Sequence, residues 1–420
     1  MWLHLHSYPW RWLQENKGPL SYAFMRHAQL QPLSDAERSR LLGYRYVAPA
    51  LSLIERCGLD DFWALVAERV YPRWLAPNLI TLGGGACIGL ATALTLACSP
   101  LLSGAAPAWV YAANAALILC YQTLDGSDGK QARRTTSGSP LGELVDHGVD
   151  AWATGCIVFI CLDAFAFGIA SPWPWLILVG AQAAFFASNL TLLHAGRMKV
   201  DDFGVIELQS VMCACLGATA VCSPSLWAAQ APRLLGGYEV RQILGAGILG
   251  AMVKAVAEAV GEVLRDGDGG GGGGGVHSAS PRRAAWRQCG LVAVYVGFVG
   301  LSFGCVRRQR DGGMALRLLW CCANSAFAEL LSRLLVLRVT SRPLPTVVPS
   351  LLALAGFAAA AALMALGAGR GAGGLGACAL AAGTAAIAHL AYFAWAGRAT
   401  AGALGVHPFR VRGARSWWRL

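Results

Sequence analysis

Charged residues are scarce in this sequence. Only 14% of its 420 residues are Asp, Glu, Lys or Arg, whereas 56% are hydrophobic. A soluble globular domain carries about 25% charged residues. The composition therefore argues against an ordinary soluble protein and favours a polytopic membrane protein.

Two other features are missing. None of the 14 cysteines forms a CxxC pair, and neither Cys213/Cys215 nor Cys321/Cys322 has the spacing of a zinc site. We therefore expect reduced, apolar cysteines. Residues 1–13 lack the continuous apolar region of a removable signal peptide, so we expect the first apolar span, near residue 79, to direct membrane insertion.

Apolar stretches long enough to cross a bilayer are abundant, since one crossing needs about 20 residues. They lie near residues 79–98, 106–124, 144–166, 173–194, 205–223, 240–260, 287–305, 314–337, 346–367 and 374–396. The sequence thus predicts an all-α polytopic membrane protein with about ten transmembrane helices.

The net charge of +11 would also suit a nucleic-acid-binding protein. However, the basic residues lie between and beside the apolar spans, so we expect them to face anionic lipid headgroups and expect no nucleic-acid partner. They precede the first span and follow alternate spans, whereas the loops at 99–105 and 167–172 contain none. The positive-inside rule then places both termini in the cytoplasm. Arg307, Arg308 and Arg310 contradict this pattern, because they lie between the spans at 287–305 and 314–337, on the side predicted to be lumenal. Either these two spans or the topology of the later part of the chain is misassigned.

Acidic residues concentrate around the second and third spans, where a bilayer should exclude them. Asp125 and Asp128 are three residues apart, Asp146 and Asp150 are four apart, and each pair therefore shares a helix face. One Asp at the centre of a membrane helix costs about 2.5–3.5 kcal/mol, so four of them need a partner. Hard oxygen ligands of this kind suit Mg²⁺ or Mn²⁺.

Positive charge and glycine adjoin these carboxylates. Arg133 matches phosphate geometry with two parallel hydrogen bonds, and Lys130 supplies a point charge. Gly126, Gly129 and Gly142 allow a ligand or a second backbone to approach closely. The pattern predicts a site for a metal ion and a phosphate group, and its alternative is an ion-paired loop that only links two spans.

The order of these residues resembles the signature of the CDP-alcohol phosphotransferase family. Between Asp125 and Asp150 it reads Asp, two residues, Asp-Gly, two, Ala-Arg, eight, Gly, three, Asp, three, Asp. Residues 74–81, 121–135 and 140–148 look like the eukaryotic choline/ethanolamine branch. Weaker echoes of that branch begin at Ser332 and Val406.

The resemblance implies transfer of a phospho-amino-alcohol from a CDP-alcohol to the hydroxyl of diacylglycerol or alkyl-acylglycerol, with release of CMP. It implies that Asp125, Asp128 and Asp146 bind the metal, and that Asp150 shares this site or acts as the general base. The nucleotide diphosphate would be held by Gly129, Ala132 and Arg133, to which we add Asn78, Lys130 and Gly142.

The general base stays open among three residues. Asp150 is the choice that the resemblance implies. Glu143 and His147 are one helical turn apart on the third span, so that the carboxylate would orient the imidazole and raise its basicity. His147 is equally interpretable as a hydrogen-bonded interface residue.

The choice of amino alcohol depends on few positions. Asp125-Gly126 and Asp150-Ala151-Trp152 look more like ethanolaminephosphotransferases, which favours CDP-ethanolamine as donor and phosphatidylethanolamine as product. CDP-choline, or both donors, is the near alternative. An ion-coupled transporter would also bury carboxylates, but it should show paired broken helices, and we find no internal repeat. A prenyl-transferring enzyme would not need the second aspartate pair, and a catalytically dead scaffold would have lost an aspartate.

The resemblance also implies a membrane of the endoplasmic reticulum or Golgi, a cytoplasm-facing site and a homodimer. We divide the chain into a cytoplasmic segment (1–73), catalytic helices (74–223), C-terminal transmembrane helices (224–396) and a basic tail (397–420). Residues 46–73 predict a partly amphipathic helix, which lies either on the membrane surface or against the protein. The glycine-rich stretch 266–280 predicts a flexible tether. Glu207, Asn324 and Glu329 either line the site or form hydrogen bonds between helices.

Overall fold

The computed structural model describes residues 30–44, 51–196, 204–232, 236–266, 281–309, 311–345, 348–367 and 372–411. All but the first residue of the predicted tether (266–280), residues 1–29 and 45–50 of the N-terminal segment, and the end of the basic tail (412–420) lie outside these residues. Apart from an isolated bridge between Gln230 and Glu239, the described ranges contain only helical regular structure.

The described residues form twelve α-helices. They are α1 (Asp35–Gly43), α2 (Asp60–Arg69), α3 (Pro77–Cys98), α4 (Ala108–Arg134), α5 (Pro140–Ala164), α6 (Pro172–Ala195), α7 (Val205–Cys222), α8 (Val240–Asp266), α9 (Pro281–Val306), α10 (Gly312–Thr340), α11 (Pro349–Ala365) and α12 (Ala372–Leu404). A π-helical turn (Glu55–Leu59) precedes α2, and a 3₁₀ turn (Pro224–Ala228) follows α7.

Helices α3 to α12 correspond one to one to the ten predicted spans. Eight of them are long and apolar enough to cross a membrane. Helix α4 falls short because polar residues, from Asn114 to its charged last turns, lower its hydropathy, and α11 has only 17 residues. The prediction of an all-α polytopic membrane protein is therefore confirmed. The 14 cysteines all lie in the described ranges and are free thiols.

Local sequence signals set the turn between α4 and α5. Helix α5 begins with Pro140, whose missing N–H costs nothing in a first turn, and the Ser139 hydroxyl accepts a hydrogen bond from Gly142 N. Helix α4 ends at Arg134, five residues before this cap. This short connection brings the end of α4 beside the start of α5.

Contacts between loops define a far end of the helix bundle, opposite the α4–α5 turn. There, Gly168 N donates to Leu102 O at 2.7 Å, which joins the loops that follow α3 and α5. Arg241, at the start of α8, donates to Ala166 O at 2.6 Å. The near end, in contrast, is where α4 ends and α5 begins.

One acidic residue of α5 holds the far end together. The Asp163 carboxylate is fully buried and accepts hydrogen bonds from Ser99 Oγ at 2.5 Å, Gly104 N at 3.0 Å and Tyr111 Oη at 3.1 Å. Three donors from the α3–α4 connection and α4 therefore satisfy this carboxylate. Its function is to fix the far-end loop.

Arg307 and Arg308 also lie at the far end. They follow α9 directly, and a Cβ added at Gly313, at the start of α10, would lie 2.9 Å from Leu101 in the far-end loop. Both helices occupy their predicted places, so the span pair was not misread. These arginines are a genuine exception to the charge pattern, while Arg310 lies outside the described residues.

Helices α5 and α10 form the centre of the bundle. In the most apolar 18-residue stretch of each helix, 67% and 78% of the residues are buried. Asn324 of α10 packs on Gly155, donates to Trp152 O at 2.9 Å and accepts from Gln182 at 3.1 Å. Glu329 of α10 pairs with Arg333 of its own helix at 2.5 Å and accepts a hydrogen bond from Ser350 N, at the start of α11, at 3.1 Å. Both polar residues thus form helix-packing contacts.

The predicted amphipathic helix over 46–73 is kinked. Gly58 has φ of 126°, a left-handed conformation that separates the π-helical turn from α2. Trp63 and Ala67 are buried against α4, whereas Phe62 and Leu65 are 47% and 54% exposed. The segment therefore packs against the protein on one side and leaves apolar side chains exposed on the other.

Candidate active site

Three of the predicted metal ligands meet between α4 and α5 at the near end. One carboxylate oxygen from each of Asp125, Asp146 and Asp150 lies within 4.8 Å of the others. Asp125 Oδ1 is buried and has no hydrogen-bond partner among the described residues. A buried carboxylate oxygen without a donor is costly, and a cation would satisfy it directly. The donor set therefore fits a hard divalent cation such as Mg²⁺ or Mn²⁺.

Asp128 is adjacent but differently held. It accepts a hydrogen bond from Thr81 Oγ1 of α3 and interacts electrostatically with Asp150 and Arg133. The structure thus distinguishes a group of three carboxylates from a fourth that is fixed by α3. Direct coordination by Asp128 stays a prediction.

Tyr121 was not identified from the sequence. Its hydroxyl donates to Asp150 Oδ1 at 2.5 Å, which orients the second oxygen of that carboxylate. Tyr121 lies four residues before Asp125 and thus on the same face of α4, which is the signal that would have found it. Thr81 had no comparable signal, because it lies on a different helix.

The predicted phosphate contacts differ in availability. Arg133 is exposed, its Nη1 lies 3.8 Å from a Cβ built at Gly129, and its guanidinium donates no hydrogen bond to a described protein group. Ala132 is half-buried on the same turn. Lys130 instead has a protein partner, Asp60 of α2, at 2.5 Å with only 12% of the lysine side chain exposed. Among the described residues, Arg133 is therefore better placed than Lys130 to meet a phosphate.

Asn78 and Gly142 lie side by side at the near end. A Cβ at Gly142 would lie 3.8 Å from Asn78 Oδ1, so the glycine leaves space in front of the amide. The Asn78 amide donates to Pro408 O at 2.8 Å. This bond brings the segment after α12, one of the weaker sequence echoes, to the same end as the carboxylates.

Glu143 and His147 do not form the predicted pair. Glu143 is ion-paired with Arg338 of α10, and both side chains are at least 95% buried. His147 Nδ1 lies 3.0 Å from Asn189 Oδ1 of α6. The prediction that Glu143 orients the imidazole is therefore wrong, because each residue faces a different neighbouring helix. Sequence reasoning missed Arg338 and Asn189 because both come from distant spans.

Fold and site together define an integral membrane protein with a half-buried group of carboxylates between two adjacent helices and an exposed arginine beside it. Residues 74–241 match the model of the CDP-alcohol phosphatidyltransferase family, so this part of the chain is similar to that family. All the residues from Asp125 to Asp150 lie within the match.

Curated relatives support the eukaryotic branch. Cholinephosphotransferase 1 of Gallus gallus is 38% identical over 197 residues, 47% of this chain and 58% of the relative. The Xenopus laevis protein of the same name is 34% identical over 242 residues, 57% of this chain and 58% of the relative. Choline/ethanolaminephosphotransferase 1 of Arabidopsis thaliana is 35% identical over 185 residues, 42% of this chain and 46% of the relative. The chain thus matches about half the length of these relatives.

Proposed function

We propose that this protein is a CDP-alcohol phosphotransferase that transfers phosphoethanolamine from CDP-ethanolamine to diacylglycerol and releases CMP. The carboxylate group of Asp125, Asp146 and Asp150, with its unpartnered buried oxygen, is the observation that carries this proposal. Use of CDP-choline, alone or besides CDP-ethanolamine, is the second candidate, because the curated relatives are named for choline or for both.

Asp125, Asp146 and Asp150 would hold Mg²⁺ or Mn²⁺, with Asp128 beside them. A bound ion would neutralise charge that develops on the diphosphate. Tyr121 keeps Asp150 pointed into the group by its hydrogen bond. Thr81 does the same for Asp128 from α3. The acidic ends of α4 and α5 are thus oriented before substrate binds, which reduces the entropy lost on binding.

Arg133 is the main protein contact for the diphosphate in this proposal. It is exposed at the near end and has the planar geometry that donates two hydrogen bonds to one phosphate. Gly129, one turn earlier, leaves room for the nucleotide beside the guanidinium. Asn78 and Gly142 lie at the same end and complete the predicted CDP-binding set.

His147 is the general base that we favour. Asn189 Nδ2 donates to Phe185 O at 3.0 Å, so its Oδ1 faces the imidazole and accepts from His147 Nδ1–H. Nε2 then carries the free lone pair and accepts the proton of the lipid hydroxyl. The hydroxyl oxygen attacks the phosphorus that bears the amino alcohol, and CMP leaves. Glu143 is neutralised by Arg338, and Asp150 is committed to Tyr121, which disfavours both as bases.

The near end would face the cytoplasm, in a membrane of the endoplasmic reticulum or Golgi. Lys130, Arg133, Arg338 and Arg342 all lie at this end, which is the side that the positive-inside rule assigns to the cytoplasm. The homodimer that the resemblance implies stays a prediction.

A direct assay tests the proposed function. Purified protein in vesicles with diacylglycerol and Mg²⁺ should convert CDP-ethanolamine to phosphatidylethanolamine and CMP, and the same vesicles with CDP-choline measure the selectivity between donors. Faster turnover of CDP-choline would replace the ethanolamine assignment. Absence of CMP release from both donors, with ion flux across the vesicle membrane, would favour the transporter alternative instead.

A further inference from the structure

The last turns of helix α4 have two faces. One carries Asp125 and Asp128 together with the predicted phosphate contacts Gly129 and Arg133. The other carries Gly126, Ser127, Lys130, Gln131 and Arg134, at the helical spacing of one continuous stripe. Every residue of this second stripe contacts residues 51–75, a segment that we call the arm.

Hydrogen bonds fix the end of the stripe to the arm. Arg134 Nη1 donates to Ala67 O at 2.8 Å and to Tyr71 O at 2.7 Å. Gln131 Nε2 donates to Pro72 O and Leu75 O, both at 3.0 Å. Two long polar side chains of α4 therefore bind the backbone of the arm instead of a ligand.

The arm also contacts the part of this stripe that lies next to the carboxylates. The Tyr71 hydroxyl lies 2.8 Å from Ser127 Oγ. Trp63 is 2% exposed and covers Gly126, where an added Cβ would overlap the indole ring. Gly126 and Ser127 lie between Asp125 and Asp128 in the chain, so the arm sets the position of both carboxylates.

The opposite side of the arm is apolar and exposed in the part of the chain that the structure describes. Leu53, Phe62, Leu65, Val70 and Trp74 are 47–67% exposed. This surface continues into Leu79 and Leu82 of α3, which are 40% and 38% exposed on a membrane-spanning helix. An exposed apolar patch of this kind marks a binding surface, and its continuity with a span identifies the bilayer interface as the occupant.

Charge supports the same occupant. Arg69 and Arg73 of the arm are exposed, and Arg69 lies between Phe62 and Leu65 on the exposed side of α2.

The start of the arm is fixed separately, since Ile54 N donates to Glu207 Oε1 of α7 at 2.9 Å. The arm thus crosses the near end from α7, over α4, to α3.

We infer that the arm binds the lipid interface with its exposed apolar side and positions the acidic face of α4 with its buried side. Asp60, Trp63 and Tyr71 are positioning residues in this arrangement, and Lys130 acts through Asp60. The effect on turnover rests on the proposed function, whereas the contact with lipid does not.

Photo-crosslinking tests the lipid contact without any turnover. Benzoyl-phenylalanine in place of Phe62, in the full chain in phosphatidylcholine vesicles containing phosphatidylserine, should attach to phospholipid and add its mass. The matched control replaces Glu68, which lies about 120° around α2 from Phe62 and should give several-fold less lipid adduct. A cross-link from position 62 to a second protein chain, or equal lipid adducts at both positions, would overturn the inference.

Steady-state kinetics tests the positioning. Asp60→Asn should lower kcat about tenfold and leave KM for the CDP-alcohol unchanged, and Asp60→Glu should restore most of the loss because it keeps the ion pair. A rise in KM alone would show that Lys130 meets the substrate directly. Unchanged kcat and KM would show that the Asp60–Lys130 pair positions nothing. Because cross-linking is scored separately, an inactive wild-type protein would refute the proposed function and not the lipid contact.

Discussion

The two ends of α5 bury carboxylates in opposite ways. At the far end, Asp163 is surrounded by three hydrogen-bond donors and needs nothing further. At the near end, Asp146 and Asp150 face another carboxylate, and Asp125 Oδ1 lacks a donor. A position in a membrane helix alone therefore does not distinguish a carboxylate that the protein satisfies from one that is open to a cation. The neighbours of the carboxylate do, because a group of like charges is destabilised unless a cation or a proton neutralises it.

The largest expected effect is at the near end. Asp146→Asn removes one ligand and one charge, so turnover should fall about 1,000-fold or more, the equivalent of several kcal/mol of transition-state stabilisation. The variant should stay folded, since it relieves repulsion among three carboxylates. Product formation and the thermal melting of the purified protein measure the two effects. Substantial activity in this variant would contradict the contrast between the two ends.

Arg133→Lys should have the next largest effect. Lysine keeps the charge but loses the paired hydrogen bonds to phosphate, which should lower kcat/KM for the CDP-alcohol about 10- to 100-fold. The matched control is Arg134→Lys, because Arg134 binds the backbone of the arm. The control should affect kcat more than KM. If both variants changed KM equally, Arg133 would not be the specific phosphate contact.

Asp163→Asn should destabilise the protein without lowering the turnover rate of the folded molecules. The amide cannot accept from all three donors in the same geometry, so unfolding should become easier by about 1–3 kcal/mol. Remaining folded protein should turn over substrate at the wild-type rate. Thermal melting together with activity per folded molecule separates these outcomes. A loss of activity as deep as that of Asp146→Asn would mean that the far-end acid is also functional.

A third carboxylate has a cation partner and should show the smallest effect. The pKa of Glu37 lies below its usual value, chiefly because Arg342 hydrogen-bonds to the carboxylate, at 2.7 Å. The stabilisation is therefore present at neutral pH and is lost as the pH falls below the usual glutamate range. It should amount to less than about 1 kcal/mol, because the pair is partly solvated.

The measurement for Glu37 is the melting temperature at pH 7 and at pH 3, which lies below the usual glutamate range. The drop between these pH values should be smaller in Glu37→Gln than in the wild type, because the variant lacks the titrating pair. An identical drop in both proteins would show that the Glu37–Arg342 pair contributes nothing measurable.

Much of the fold was predictable because membrane spans are read from continuous apolar runs. The ten helices α3 to α12, eight of them long and apolar enough to cross a membrane, and the two aspartate pairs followed from composition and helical spacing alone. Spacing within one helix also indicates which residues share a face, and it correctly grouped Asp146 with Asp150.

Contacts between distant helices were not predictable in this way. Arg338 binds Glu143, and Asn189 binds His147, yet neither is near its partner in sequence. The role of Lys130 depended on Asp60, 70 residues earlier, in a segment whose kink at Gly58 was not expected. One sequence alone gives no measure of such pairings, because they depend on how helices pack.

Metal binding to the purified protein tests the central claim most directly. Titration with Mn²⁺, followed by electron paramagnetic resonance, should show a tight site in the wild type and in Asp163→Asn, and strongly weakened binding in Asp125→Asn and Asp146→Asn. Equal binding in all four proteins, or none in the folded wild type, would contradict the account that carboxylates of α4 and α5 jointly hold a divalent cation.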